Sequence, residues 1–305
     1  MLIGFCIFTA CFHIILNIMD PLSIHFSILL YQEAVMKTLL QYQVLLVHGM
    51  CVRDSEKFSS WGRIPKYLSD MGIPVFYGHQ DGLSDIKSNA MYLSKRIDEI
   101  LLETGAEKVN IIAHSKGGLD SRYAITNLGM GKKVASLTTI ATPHNGSKTV
   151  DLLMKLPDFF VRFVASCGNF WYKKFGDKKP NCYEVFHCFT TENMRLFNEN
   201  TPDHPSVYYQ SYAFVMKNAF SDFLLFLPHT LVKWVEGDND GLLTPESVKW
   251  TNFRGVYRAS GRRGVSHLDE IDIRRAPVFV RMSESTVDII DFYANLVKEL
   301  QYRGL

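Results

Sequence analysis

Three residue types that together turn a hydroxyl into a nucleophile occur in this chain in the order Ser, Asp, His. Ser115 stands in Ala113-His114-Ser115-Lys116-Gly117-Gly118, directly after the apolar run Val109–Ile112 and ahead of a helix-compatible stretch. A serine on a tight strand-to-helix turn holds its hydroxyl clear of the sheet. Gly117 suits such a turn, because backbone there crowds backbone and a Cβ would clash. Ala113 takes the first position of the G-x-S-x-G pattern, a mild departure, since alanine is the smallest residue with a Cβ. Downstream, Gly237-Asp238-Asn239-Asp240-Gly241-Leu242 offers a carboxylate and Ser266-His267-Leu268-Asp269 an imidazole. In such a set the imidazole takes the serine proton and the carboxylate holds the imidazole in the right tautomer. A serine in a glycine-flanked turn is usually only a turn residue. What distinguishes Ser115 is its ordered company. Of the ten histidines, His267 alone follows the acid and lies in the loop after the last expected strand.

With Leu46-Val47-His48-Gly49-Met50 upstream and Thr142-Pro143-His144-Asn145-Gly146-Ser147 between, these blocks resemble those of bacterial triacylglycerol lipases of the α/β-hydrolase superfamily. The further matches are Ile112 to Tyr123, Asn239-Asp240-Gly241-Leu242 and His267-Leu268-Asp269, so the resemblance runs from about residue 42 to the end. It implies an α/β fold, the α/β-hydrolase fold, with a mostly parallel central sheet, helices on both faces and a helical lid or cap insertion. It implies carboxylic-ester hydrolysis through an acyl-enzyme, with Ser115 as nucleophile, His267 as base and Asp240 rather than Asp238 as acid. The oxyanion donors are then the backbone N–H groups of Met50 and Lys116. No organic cofactor is needed for this route, and the partner is a lipid or ester substrate. A membrane-associated phospholipase or acyltransferase with the same serine stays open, as does a silent binding protein, against which the intact triad argues.

The same resemblance raises a structural calcium. In similar lipases of Gram-negative bacteria it ties the histidine loop to a segment ahead of the acid. Asp269, two residues after the histidine, matches one ligand, and Asp222 in Phe220-Ser221-Asp222-Phe223 stands for the other. Two carboxylates with carbonyls and waters suit calcium, which takes six to eight oxygens. The alternative is that both are ordinary loop acids, paired for instance with Arg274 or Arg275.

The elements that must position these residues read as alternating β and α units, which argues a parallel sheet. Strands are expected at Val44–Val47, Pro74–Tyr77, Val109–Ile112, Val134–Ile140, Val207–Phe214, Val232–Glu236 and Gly255–Tyr257. A helix is expected around Trp61–Met71. Ile86, Ala90, Leu93, Ile97, Ile100 and Leu101 recur at three and four, an amphipathic helix that Gly105 ends. Val287, Ile290, Ala294 and Val297 mark a closing helix. Between strands, residues 149 to 200 form an insertion with an apolar stripe, Leu152, Leu153, Leu156, Phe159, Phe160 and Phe163. Phe170, Trp171, Tyr172 and Phe175 follow among lysines. Such a stripe is either a helix packed on the core or a lid that can show apolar surface to lipid.

Composition fits one large domain over residues 36–305. The chain has 305 residues, 47% of them hydrophobic, and a net charge of +2. No long basic run interleaved with aromatics is present, which excludes nucleic acid as a partner. The six cysteines show no metal-ligand spacing; Cys167, Cys182 and Cys188 could pair in an oxidising compartment, but an unpaired state is favoured. Residues 1–30 carry no Lys or Arg, and Met1–Met19 is apolar and nearly long enough to cross a bilayer. The segment 1–35 reads as a membrane anchor, as an amphiphilic helix lying on the domain, or as an over-extended start ahead of Met36-Lys37. A secretory signal is disfavoured, since it lacks a basic n-region. The anchor makes a membrane surface a second partner, with a membrane-associated or extracytoplasmic location, or a cytoplasmic one if the chain starts near Met36.

Overall fold

The structure is a computed structural model that describes residues 40–50, 54, 60–258, 263–273 and 289–305. The segment 1–35, Cys51, Arg274, Arg275 and Val287 lie outside the described residues.

Six strands form one sheet in which every pairing is parallel: β1 (Gln43–Val47), β2 (Val75–Tyr77), β3 (Val109–His114), β4 (Val134–Ile140), β5 (Tyr208–Phe214) and β6 (Phe253–Tyr257), in the order β2-β1-β3-β4-β5-β6. The connection from β1 to β2 runs one way along the sheet and that from β2 to β3 returns past β1, so the chain reverses its winding between β1 and β3. The C-terminal ends of strands near such a reversal are where α/β sheets place their sites. Every residue of β3 and β4 is buried, as expected of central strands covered on both faces.

Alternation along the strands sorts the core into two layers. Val44, Leu46 and Ile112 face α1 (Ile64–Asp70) and α9 (Ile289–Tyr302), where Trp61, Tyr293 and Val297 are fully buried. Leu45, Val47, Ile111 and Ala113 face α2 (Ile86–Thr104) and α3 (Lys116–Asn127) through Leu93, Ile97 and Ile125. The helical period expected around Leu93 is therefore the core face of α2. The Asp85 side chain caps its start by accepting from the Ser88 N–H at 2.9 Å, and Gly105 ends it at φ 71°. Replacing such a cap by alanine costs about 1 kcal/mol.

One expected strand is not there. Val232–Glu236 belongs to α8 (Phe226–Val235), a helix with Pro228 in its first turn, where proline is tolerated, and with His229 and Val232 facing inward. The short β-branched run suited either period, and the inward spacing of three decided it. The insertion is helical throughout: α4 (Lys148–Leu153), α5 (Asp158–Lys174), α6 (Cys182–Cys188) and α7 (Thr191–Asn200). The stripe read as one helix is split at Pro157, and α5 meets the interior only through a small cluster around Ala165. Ala165 is its one buried residue, while Phe159, Phe163 and Trp171 are 77%, 66% and 56% exposed. Cys167, Cys182 and Cys188 are unbridged.

Candidate active site

β3 runs straight into α3 with one residue between, and that residue is Ser115 at φ 53°, ψ −132°. A non-glycine residue there costs on the order of 1–3 kcal/mol, which the surroundings must hold in place. They do so by hydrogen bonds: the Ser115 N–H donates to the Ile140 carbonyl and the Thr142 hydroxyl to the Ser115 carbonyl, both at 2.8 Å. Close approach also explains two glycines. A Cβ on Gly117 would lie 2.4 Å from the His48 carbonyl oxygen, and one on Gly49 would lie 2.6 Å from the Ser115 Cβ. The loop after β1 is thus pressed against the serine turn, and Met50 follows in that loop. His48 and Gln80 lock it reciprocally: Gln80 Nε2 donates to the His48 carbonyl at 2.8 Å, and His48 Nε2 lies 3.1 Å from the Gln80 carbonyl.

Lys116 is the first residue of α3, so its N–H is among those that have no acceptor within the helix. Its side chain turns inward, where Nζ meets both oxygens of Asp120 at 2.7 and 2.9 Å, and Asn89 donates to the same carboxylate at 3.0 Å. Removing one partner of so buried a pair would leave an uncompensated charge. The Met50 side chain packs with Leu83, Ala165 and Cys182, which brings the loop after β1 against α5.

The acid and the imidazole meet. His267 Nδ1 lies 2.8 Å from Asp240 Oδ2, and Asp240 Oδ1 accepts from the Leu242 and Leu243 N–H groups at 2.8 Å. The His267 N–H donates to the Asp240 carbonyl at 2.8 Å, so both backbone and side chain fix the pair. Both residues are buried. Asp238 is elsewhere, half exposed and paired with Lys233 and Arg258, whose hydrogen bonds hold its carboxyl below the usual range. The imidazole of His114, next to Ser115, lies with its centroid 4.4 Å from that of His267.

Sequence reasoning missed Glu270. It is fully buried, with Oε2 3.0 Å from His114 Nε2 and 3.6 Å from His267 Nδ1, and Tyr293 donates to its carbonyl at 2.9 Å. Burial, then the charge of Asp240, pushes its carboxyl well above the usual range, while burial, then the neighbouring His267, holds the His114 pKa well below the usual imidazole value. The available signal was a second acid three residues after His267.

Asp222 and Asp269, far apart in sequence, converge on one hydroxyl: Ser266 Oγ lies 2.8 Å from Asp222 Oδ2 and 3.0 Å from Asp269 Oδ2, its single proton serving one of them. Both carboxylates are buried, and Arg263 Nη2 stands 3.8 Å from Asp269. An apolar cavity of about 240 Å³ lies among α4, α5 and α6, lined by Val150, Leu153, Phe160, Val164 and Phe186. None of Ser115, Asp240 and His267 lines it.

Residues 42–244 match the family described as the alpha/beta hydrolase fold. The chain belongs to that family. A triacylglycerol lipase of Saccharomyces cerevisiae, Triacylglycerol lipase 2, is 33% identical over 80% of this chain and 74% of its own length. A triacylglycerol lipase of Burkholderia plantarii is 39% identical over 37% of this chain and 32% of its own. Among solved structures, the lipase of Staphylococcus hyicus superimposes with a TM-score of 0.61 at 16% identity, over 86% of this chain and 95% of that one. A metagenomic carboxyl esterase gives a TM-score of 0.64 at 15% identity, over 85% and 76%. At such identities the two structures speak for the fold alone. The expected α/β-hydrolase architecture and the expected lipase kinship are both found.

Proposed function

We propose that this serine ester hydrolase is a triacylglycerol lipase working through Ser115, His267 and Asp240. In this reading the Ser115 hydroxyl attacks the ester carbonyl while His267 takes its proton. The imidazolium is stabilised by Asp240, and the proton then goes to the departing alcohol. The tetrahedral oxyanion is held by the N–H groups of Met50 and Lys116. Loss of one such donor typically costs roughly a hundredfold or more in turnover. Water, activated by the same imidazole, releases the acid from the acyl-enzyme. The observation that carries the reading is the buried 2.8 Å contact between His267 and Asp240, at the strand edge where the Ser115 turn also sits.

The insertion 149–200 acts as the cap of a domain that spans residues 36–305. Its exposed α5 is clasped beyond its C-terminal end: Asp177 accepts from the Gly82 and Leu83 N–H groups, and Asp81 from those of Lys178 and Lys179. Ahead of it, Glu236 accepts from Ser147 and Thr149. The α5 face between these clasps is the apolar surface that a cap over a lipid-cleaving site requires.

The donor set around Ser266 fits calcium: two buried carboxylates and a hydroxyl, all hard oxygens within hydrogen-bond range of one point. Asp222 and Asp269 would hold the ion, whose charge would pin the histidine loop to the segment before the acid. It takes no part in the chemical steps.

Hydrolysis rates for p-nitrophenyl esters of increasing acyl length, with and without emulsified triglyceride, test the reading. A lipase favours long chains and cleaves the emulsion. Activity confined to short soluble esters would leave an esterase and contradict the lipase assignment.

A further inference from the structure

The segment from Lys155 to Lys179 has a charge out of keeping with the rest of the chain. It carries six basic residues against two acids, a surplus larger than the +2 of the whole protein. Neither acid offsets the surplus at the surface in full. Asp158 pairs with Arg162 at 2.6 Å, and Asp177 is buried with its carboxylate on backbone N–H groups. Lys173, Lys174, Lys178 and Lys179 are all exposed and crowd one end of α5.

The same end carries the aromatics. Phe170, Trp171 and Phe175 are 56%, 56% and 68% exposed, and Trp171 and Phe175 stack with centroids 6.4 Å apart. Lys174 Nζ lies 4.4 Å from the Phe170 ring. Phe159, Phe163 and Phe170 continue the apolar line along the helix at intervals of four and seven. A soluble surface gains nothing from so long an unburied apolar stripe. Apolar rings beside lysines are the composition of a helix that lies in a bilayer interface, with rings at acyl depth and ammonium groups at headgroup phosphates. The stripe does not end with α5. Leu152 and Leu153 of α4 are exposed, α4 packs against α8, and on and before α8 Phe223, Leu224, Leu227 and Trp234 are 73–91% exposed.

We propose that α5 with its lysine cluster is a docking surface for an anionic phospholipid bilayer, extended by the exposed residues around α8. Charge complementarity selects this occupant: an uncharged fat droplet would take the rings but give the four lysines no counter-charge. Each lysine near an anionic leaflet strengthens attachment, and the effect fades within a Debye length. The enzyme would then meet its ester on the membrane, with the cap helix pressed into the leaflet that supplies it. The purpose of docking rests on the lipase reading. The surface itself does not.

The test is co-sedimentation of the full chain carrying Ser115→Ala, so that no lipid is consumed, with phosphatidylcholine vesicles with or without 30 mole per cent phosphatidylserine, a fraction of roughly the order that gives cytoplasmic leaflets their surface potential. Partitioning should be far stronger to the anionic vesicles and should fall steeply with added salt. Lys173→Gln, Lys174→Gln, Lys178→Gln and Lys179→Gln together should lower it by on the order of a thousandfold, while the same four changes in the active chain leave hydrolysis of a soluble short ester unchanged. Trp171→Ala should weaken attachment to both vesicle types. Equal binding to neutral and anionic vesicles, or binding indifferent to the four lysines, overturns the proposal. Charge-selective binding in a chain that cleaves no ester would keep the surface and remove the lipase reading. Ester cleavage without charge-selective binding would do the reverse.

Discussion

Glu270 Oε2 lies 3.0 Å from His114 Nε2, joining the histidine loop to the residue immediately before Ser115 across 156 positions of sequence. Both side chains are buried. Glu270→Ala would therefore take from His114 Nε2 its buried hydrogen-bond partner. A buried group so stranded costs about 1–3 kcal/mol. Urea unfolding should show that loss for Glu270→Ala, and a clearly smaller one for Glu270→Gln, which keeps a hydrogen-bonding side chain of the same size. Equal stability of the wild type and Glu270→Ala would show that the link contributes nothing.

Asp240 and Asp238 make a sharper pair. Asp240 meets His267 inside the protein, and Asp238 meets Lys233 and Arg258 at the surface. Asp240→Asn should lower kcat by on the order of ten thousandfold, the loss typical of a triad that cannot hold its base in the right tautomer. Asp238→Asn should stay within about threefold, because exposed ion pairs are worth little. Initial rates on one soluble ester decide it, and the reverse ranking would mean that the acid is Asp238.

Stability should fall on the acid side, and His144 is one cause. Its Nδ1 lies 3.1 Å from Arg122 Nη1 and its Nε2 3.0 Å from Thr139 Oγ1; burial, then the Arg122 charge, holds its pKa well below 6.5. Above that value the folded and unfolded imidazoles are both neutral and nothing changes. Below it the unfolded chain takes up a proton that the folded chain refuses, so stability drops as pH falls. Between pH 7 and pH 5, His144→Gln should lose less stability than the wild type in urea unfolding. Parallel losses would show that His144 is not among the titrating groups.

Chelation should lower the melting temperature. A ligand at a hundredfold excess over its Kd stabilises the fold by about 2.7 kcal/mol. EDTA should remove that, calcium should restore it, and magnesium should not, given its stricter octahedral demand. Asp269→Ala should abolish the response. A wild type that melts identically with and without chelator would mean that Asp222 and Asp269 are loop acids held by protein groups, Ser266 among them, and not by a metal.

What was legible in the sequence was what local pattern dictates. The all-buried β3, the three-four period of Leu93 and Ile97, and the elbow residues Ser115 and Gly117 each announce their own geometry. Asp240 and His267 were found as separate motifs, and their meeting at 2.8 Å follows from strand order. Three things were not legible. Val232–Glu236 is too short for its period to tell helix from strand, and inward His229 settles it as helix. Glu270 is buried beside His114 and Tyr293, which both pack on Trp61, and these three residues arrive from distant parts of the chain. The exposure of α5 is a property of what does not cover it, and an amphipathic stripe reads the same whether it meets a core or a membrane.

In the proposed mechanism everything turns on Ser115 as the nucleophile. Its strained φ of 53°, at a turn where the backbone of Val47 and His48 leaves no room for a side chain at Gly117, has an evident use only if its hydroxyl is the group presented. Removing a triad nucleophile in comparable serine hydrolases costs on the order of a millionfold in turnover. The most direct measurement is labelling by an active-site phosphonate, read by intact mass, alongside turnover of a soluble ester and a melting curve for Ser115→Ala. The wild type should gain one phosphonyl group on Ser115 and lose activity in step. Ser115→Ala should take no label, turn over no ester and melt as a folded protein. Labelling of a folded Ser115→Ala chain at the wild-type rate would contradict the assignment.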